Sequence, residues 1–204
     1  TMGDTAENLA KRYEISRDAT DRFAHESFER ALHAKQSGFL AGEITPVVNE
    51  TFSLEGYQPR GIRLGSKVEF LDTDTHIRHS PLEKLAQIKP AFGGVQTGGN
   101  SSAIVDGAAA VLWMSDTKAK ELGLKPRARL RHSDLVGSDP DLLLSGPVDA
   151  TKRIIQKHGL ELKDIDLYEI NEAFASVVLS WQREFDVDMD KIDVNGGAIA
   201  LGHP

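Results

Sequence analysis

The chain has 204 residues, of which 40% are hydrophobic, 27% charged and 6% aromatic, enough to bury a real core. No apolar run approaches the roughly 20 residues that cross a bilayer, and the net charge of −7 argues against general nucleic-acid binding. The sequence contains no cysteine, which excludes disulfides, thiolate-bound zinc and a cysteine nucleophile within these residues.

Thr1-Met2-Gly3-Asp4 carries no basic patch followed by an apolar stretch, so no secretory signal is expected. Residues 4–14 read as a short helix: Asp4 with Glu7 forms a capping-box pattern, and Ala6, Leu9, Ala10 and Tyr13 follow helical spacing. Ser16 is the expected N-cap of a longer helix that stops at Gly38, with Phe23, Ala24, Ser27, Ala31 and Ala34 on one face. Glu26 and Arg30 make a surface i,i+4 pair on that helix. Residues 44–80 read as extended and irregular, with strand-like pieces at 44–48 and 67–71. Ser80-Pro81-Leu82-Glu83 then predicts a helix start, and Pro90 its limit.

From Ala108 the texture becomes that of alternating strands and helices. Residues 108–114 predict a buried strand, and Ser115 caps a helix ending at Gly123. Residues 128–132 predict another strand, and Gly146-Pro147 opens a helix that runs to Gly159. A strand over 166–170 leads into a helix from about Glu172 to Phe185. A last strand over 192–194 precedes Gly196-Gly197 and the start of one more helix. The plan is an irregular, helix-containing segment over about 1–95 followed by an α/β segment over about 96–204.

Between Arg60 and Pro90 six Lys/Arg stand against four acids, a local excess of basic charge on an acidic chain. Taken alone this is a solvated loop region, although an anionic ligand would also suit it. Seven histidines raise the question of a metal. His76 and His79 fall on an extended segment and point to opposite faces. His25 and His33 are about two helical turns apart. No metal site is expected.

Three stretches carry candidate chemistry: Thr97-Gly98-Gly99-Asn100-Ser101-Ser102, Asn171-Glu172-Ala173-Phe174-Ala175, and Asn195-Gly196-Gly197-Ala198-Ile199-Ala200-Leu201-Gly202-His203-Pro204. Singly, each has a structural explanation as a turn, a helix cap or an ordered loop. In combination, order and spacing they resemble the thiolase family, and Met2-Gly3-Asp4-Thr5-Ala6-Glu7-Asn8 and Pro90-Ala91-Phe92 resemble it as well.

The resemblance implies a thiolase-like layered α/β fold, incomplete here, with an irregular helix-containing loop domain. It implies a loop domain over coenzyme A at 1–95, the last strand and helix of the N-terminal half at 96–127, and the beginning of the C-terminal half at 128–204. The implied reaction is acyl transfer between acyl-CoA thioesters, by Claisen condensation or its reverse, the thiolysis of 3-ketoacyl-CoA. His203 would activate a nucleophilic cysteine and donate to an oxyanion; Asn171 would hold a water in that oxyanion hole; Glu172 would tether the loops. Ala173 and Phe174 would line the acyl pocket, with plain core an equal reading for Phe174. Ser102 would meet the pantetheine arm, Met2 the thioester end, and Arg78 the phosphates or adenine.

Both catalytic-cysteine motifs of the family are missing, so the chain alone is expected to be an inactive fragment whose cysteines lie in missing halves. The competing reading is a non-catalytic coenzyme A-binding or assembly module of a split protein. A ketoacyl synthase, which shares the fold, usually places a second His where Asn171 stands; the intact Asn-Glu-Ala-Phe argues against it. No tightly bound cofactor is implied beyond coenzyme A or acyl-CoA as substrate, and no nucleic-acid or membrane partner. A cytoplasmic homo-oligomer, dimer or tetramer, is the expectation for the intact enzyme.

Overall fold

The computed structural model describes residues 1–204. Helix α1 spans Met2–Arg12 and starts two residues earlier than expected, because Thr1 is its cap. Thr1 Oγ1 accepts from Asp4 N at 3.2 Å, and the Asp4 carboxylate takes the Thr1 amino group at 2.8 Å. Glu7, expected to complete an Asp4 box, is buried and accepts the backbone N–H groups of Val95 and Gln96, each at 2.9 Å. Gly94 permits that approach, since a Cβ there would stand 2.0 Å from Glu7 Oε2.

Helix α2 spans Arg17–Gln36 as expected, with Ser16 Oγ accepting from Ala19 N at 3.2 Å. It buries Phe23, Ala24, Ser27, Phe28, Ala31 and Ala34. The Glu26–Arg30 pair forms at 2.8 Å, but Arg30 is only 15% exposed. Its guanidinium reaches across to the carbonyls of Ile192 at 2.6 Å and Met189 at 3.1 Å, so it ties α2 to a distant loop rather than decorating the surface.

After a 3-10 turn at Leu40–Gly42, strands β1 (Val47–Val48) and β4 (Phe70–Leu71) pair antiparallel, as do β2 (Glu50–Phe52) and β3 (Arg60–Ile62). Helix α3 is a single turn, Leu82–Leu85. Pro81 rather than Ser80 holds its N-cap position, and Ser80 is buried with its carbonyl 2.9 Å from His25 Nδ1.

Helices α4 (Asp116–Glu121) and α5 (Gly146–His158) follow their local signals. Ser115 Oγ accepts from Lys118 N at 3.1 Å, and Gly123 and Gly159 end the two helices at φ 64° and 60°, where glycine is favoured. Helix α6 is Ala175–Phe185, shorter at its start than expected because Phe174 is engaged in a bridge to Ser101. Helix α7 is Ala198–Leu201.

The predicted strands at 166–170 and 192–194 lie side by side as a parallel bridge, Tyr168 to Ile192. Tyr168 N donates to Lys191 O at 2.8 Å and Asp193 N to Tyr168 O at 2.9 Å. The predicted strands at 108–114 and 128–132 do not form. Val111, Leu112 and Trp113 are 70%, 79% and 65% exposed, and Leu130 is 60% exposed. A strand persists only where another strand takes its backbone N–H and C=O groups, and no strand lies beside either stretch.

The core sits where α6 packs on α1 and α2 and where α2 packs on α7. Trp181, Phe28, Leu9, Ile192, Ile199 and Val178 are fully buried there. Trp181 also has its indole N–H satisfied, donating to Thr151 Oγ1 of α5 at 2.9 Å. No helix is long and apolar enough to cross a membrane.

Candidate functional site

The three chemistry-bearing stretches meet beside the parallel bridge. Residues 100–103 run between the other two: Ala175 N donates to Asn100 O at 3.0 Å, Ser102 N to Ala173 O at 3.0 Å, and His203 N to Ala103 O at 2.8 Å. Gly202, at φ 96°, lies so close to Val105 that a Cβ would stand 2.5 Å from its methyl carbons. These backbone bonds bring Asn171 Nδ2 to 3.3 Å from His203 Nε2, with both side chains exposed. The two side chains are within hydrogen-bond reach of one another, with donor and acceptor roles set by the imidazole tautomer. An open cleft beside Asn171 is lined by Gly196, Gly197, Leu201 and Gly202.

Asn100 explains why the glycine-rich turn holds its place. It is fully buried. Its Oδ1 accepts from Thr97 N at 2.7 Å, and its Nδ2 reaches Asp21 Oδ1 at 2.8 Å, Val95 O at 3.0 Å and Thr20 Oγ1 at 3.1 Å. The turn is thereby fastened to α2, and Asp21 is held in turn by Arg17 at 2.7 Å.

Glu172 is fully buried, and its Oε2 accepts from Ser27 Oγ at 2.7 Å and from Ile199 N at 3.0 Å. Gly197 N donates to Ser27 Oγ at 3.2 Å. A Cβ on Gly197 would lie 2.4 Å from Glu172 Cδ, so the glycine lets the backbone that leads to His203 rest on the carboxyl. Burial pushes the Glu172 carboxyl above its ordinary range, opposed by the Ser27 and Ile199 bonds. Asp193 is also buried, and its Oδ1 accepts from Ile170 N at 2.8 Å, one residue before Asn171. Burial raises its carboxyl as well, again against a backbone hydrogen bond.

Phe174 is buried and meets the edge of Phe92, with ring centroids 6.3 Å apart at 76°. Phe92 covers Gly3, where a Cβ would stand 2.4 Å from the ring, and Met2 next to it is 48% exposed. Ser102 and Ala173 are partly buried beside the bridge. Thus His203, Asn171, Glu172, Ala173, Phe174 and Ser102 form one cluster, and Met2 reaches it through Gly3 and Phe92. Arg78 stands outside the cluster: its guanidinium lies 4.9 Å from the Phe28 ring centroid and donates to His76 O at 3.2 Å. No group of three or more metal-ligating side chains forms.

Sequence reasoning named Asn100 only within its glycine-rich turn and Ser27 only on a helix face, without their roles here, and it assigned Asp193 no role. Ser27 was legible as a polar residue on an otherwise apolar helix face, and Asp193 as an acid just before a double-glycine turn. Neither signal names a partner.

The N-terminal thiolase family model matches residues 1–117 and the C-terminal thiolase model matches residues 124–204. An acetyl-CoA acetyltransferase of Chromobacterium violaceum is 44% identical over 206 residues, covering 100% of this chain and 50% of that protein. The crystal structure of the Bacillus anthracis acetyl-CoA acetyltransferase matches at a TM-score of 0.86 and 39% identity, over 100% of this chain and 49% of that one. A structure of human mitochondrial 3-ketoacyl-CoA thiolase in complex with CoA matches at a TM-score of 0.88 and 38% identity, over 100% of this chain and 48% of that one. The chain spans about half the length of the curated relatives it matches.

Proposed function

Because this chain belongs to the thiolase family and has its layered α/β fold in incomplete form, we propose that it carries the histidine–asparagine side of an acyl-transfer site. The reaction is acyl transfer between acyl-CoA thioesters by Claisen condensation, or its reverse, thiolysis of 3-ketoacyl-CoA. The observation that carries this reading is the 3.3 Å contact between Asn171 Nδ2 and His203 Nε2, assembled by backbone bonds among three separate motifs.

Carbon–carbon bond formation between thioesters develops negative charge on thioester oxygens, and two exposed side chains able to donate to such an oxygen support this reading. His203 activates a nucleophilic cysteine and donates to one oxyanion, using a ring whose ordinary pKa lies near neutrality. Asn171 orients the water that completes the hole, and Glu172 tethers the loops. Phe174 and Ala173 wall the acyl end, with Met2 near the thioester. Ser102 meets the pantetheine arm, and Arg78, in the basic 60–90 segment, takes the phosphates or adenine.

The domain plan proposed is a coenzyme A-covering loop domain at 1–95, the end of the N-terminal half at 96–127 and the start of the C-terminal half at 128–204. Coenzyme A is substrate rather than resident cofactor, and the working enzyme is a cytoplasmic homo-oligomer.

These residues contain no cysteine, so the thiolate that takes the acyl group comes from outside them. The 204 residues by themselves are therefore inactive. The same absence favours a second reading, a coenzyme A-binding or assembly module without turnover. The two separate in one experiment: coenzyme A-dependent cleavage of a 3-ketoacyl-CoA by the chain alone and by the chain joined to a cysteine-bearing thiolase remainder. The acyl-transfer reading expects no turnover from the chain alone and turnover on joining, cut by about 100- to 10,000-fold in His203→Ala. Coenzyme A binding without turnover in both preparations supports the module and refutes the enzyme reading.

A further inference from the structure

The Glu172 and Asp193 carboxyls have one oxygen each fully engaged and one each without a donor. Glu172 Oε2 takes Ser27 Oγ and Ile199 N, and Asp193 Oδ1 takes Ile170 N. Glu172 Oε1 and Asp193 Oδ2 are both buried and have no partner that donates to them. The two carboxyls sit on the same pair of loops: Asp193 Oδ1 holds Ile170 N, two residues before Glu172, while Gly196 N donates to Asp193 O at 2.9 Å beside Gly197, which rests on the Glu172 carboxyl; the residues are 0% and 2% exposed. Two buried carboxylate oxygens cannot face one another without a proton between them.

We propose that Glu172 and Asp193 hold one shared proton between Glu172 Oε1 and Asp193 Oδ2, and that this bridge makes Asp193 a positioning residue for Asn171 and His203. One proton satisfies both orphaned oxygens and leaves a single negative charge on the pair. The geometry gives the bridge a definite reach. From Asp193 it runs through Ile170 N to the residue next to Asn171. From Glu172 it runs through Ile199 N to the first turn of α7, which ends beside His203.

The charged surroundings act in both directions. Glu169 repels both carboxyls and Glu43 repels Glu169, whereas Arg30 of α2 attracts Asp193. Arg30 makes its nearest ion pairs with Glu26 and Asp190 instead, so the pair's second charge is not neutralised. Loss of the shared proton at alkaline pH leaves two carboxylates face to face and drives the two loops apart.

The functional half of this inference rests on the acyl-transfer reading; the proton does not, and the test reads them separately. In the intact protein, carbon-13 NMR of the Asp and Glu carboxyl carbons is followed across neutral pH, and folding stability is measured by urea titration at each pH. The bridge predicts that one buried carboxyl of the pair stays protonated well above the ordinary carboxylate range. It predicts a stability slope in wild type steeper than in Asp193→Asn by up to tenfold in the folding constant per pH unit, one proton's worth. The amide of Asp193→Asn keeps the acceptor for Ile170 N and supplies a donor to Glu172 Oε1 without a titrating proton.

For positioning, Asp193→Ala lowers kcat at every pH, whereas Asp193→Asn restores it and moves the alkaline limb of the kcat profile upward. Ordinary titration of both carboxyls in the unmodified protein overturns the bridge even if a variant fails to fold. Equal pH slopes in wild type and Asp193→Asn do the same. Identical kcat profiles in wild type and Asp193→Ala overturn the positioning role alone.

Discussion

Replacing Asn100 by alanine tests whether the glycine-rich turn owes its position to one buried amide. The side chain makes a hydrogen bond to Thr97 N at 2.7 Å through Oδ1, and through Nδ2 it serves Asp21, Val95 and Thr20 at 2.8, 3.0 and 3.1 Å. Two amide hydrogens cannot fully serve three acceptors, so about three net bonds are lost in all. A neutral bond contributes about 1 kcal/mol and one to a charged group about 1.5–3 kcal/mol. Thr97 N is left buried without its acceptor, while Asp21 keeps Arg17. The terms are not additive, and about 3 kcal/mol is the expected loss, with a range of about 2–5 kcal/mol. With a urea slope of about 1–3 kcal/mol per M, the midpoint of the intact protein should fall by about 1 M or more. Asn100→Asp keeps the Thr97 acceptor but sets a carboxylate against Asp21, so it should be no better than alanine. A loss below about 0.5 kcal/mol in Asn100→Ala would refute the reasoning, because the turn would then be held by its backbone alone.

Gly197→Ala should cost about 1–3 kcal/mol, because the new methyl would stand 2.4 Å from a buried carboxyl carbon that has no room to retreat; the same urea titration checks it, and a neutral result would mean that Glu172 relaxes freely. Asp134 is held down to about 2, first by its hydrogen bond from Lys157, with Arg153 and His158 adding to it. A folded value below the ordinary 3.8 gives stability that is present above that pH and lost as pH falls towards 2. Hydrogen exchange near α5 should therefore rise as pH falls through that window, after correction for the intrinsic rate, and the rise should vanish in Asp134→Asn. The 204-residue chain by itself should self-associate through Ile104, Leu112, Trp113 and Leu135, which are 98%, 79%, 65% and 92% exposed; a monodisperse monomer by light scattering at micromolar concentration would contradict this.

What the sequence determined by itself was everything that local chemistry encodes. Ser16, Ser115 and Gly159 announce the ends of α2, α4 and α5 because a cap and its helix are neighbours in the chain. The motifs around Asn171 and His203 were equally legible, since each is a short run of residues with a recognisable spacing. Apolar runs at 108–114 and 128–132 also read clearly as strands, yet they stand unpaired, because a strand is a property of two segments and periodicity reports only one. The start of α1 slipped for a related reason: Glu7 had two candidate uses, and a loop nearly ninety residues away took it.

Tertiary structure alone decided the rest of the site. That Asn171 faces His203 follows from residues 100–103 bonding to both of their loops. That Ser27, Asn100 and Asp193 matter follows from partners 145, 79 and 23 residues away. A polar side chain in a sequence shows only what it can donate or accept. Which group it meets, and whether water is excluded when it does, depends on packing of the whole core, and burial is what turns those ordinary residues into the frame of a site.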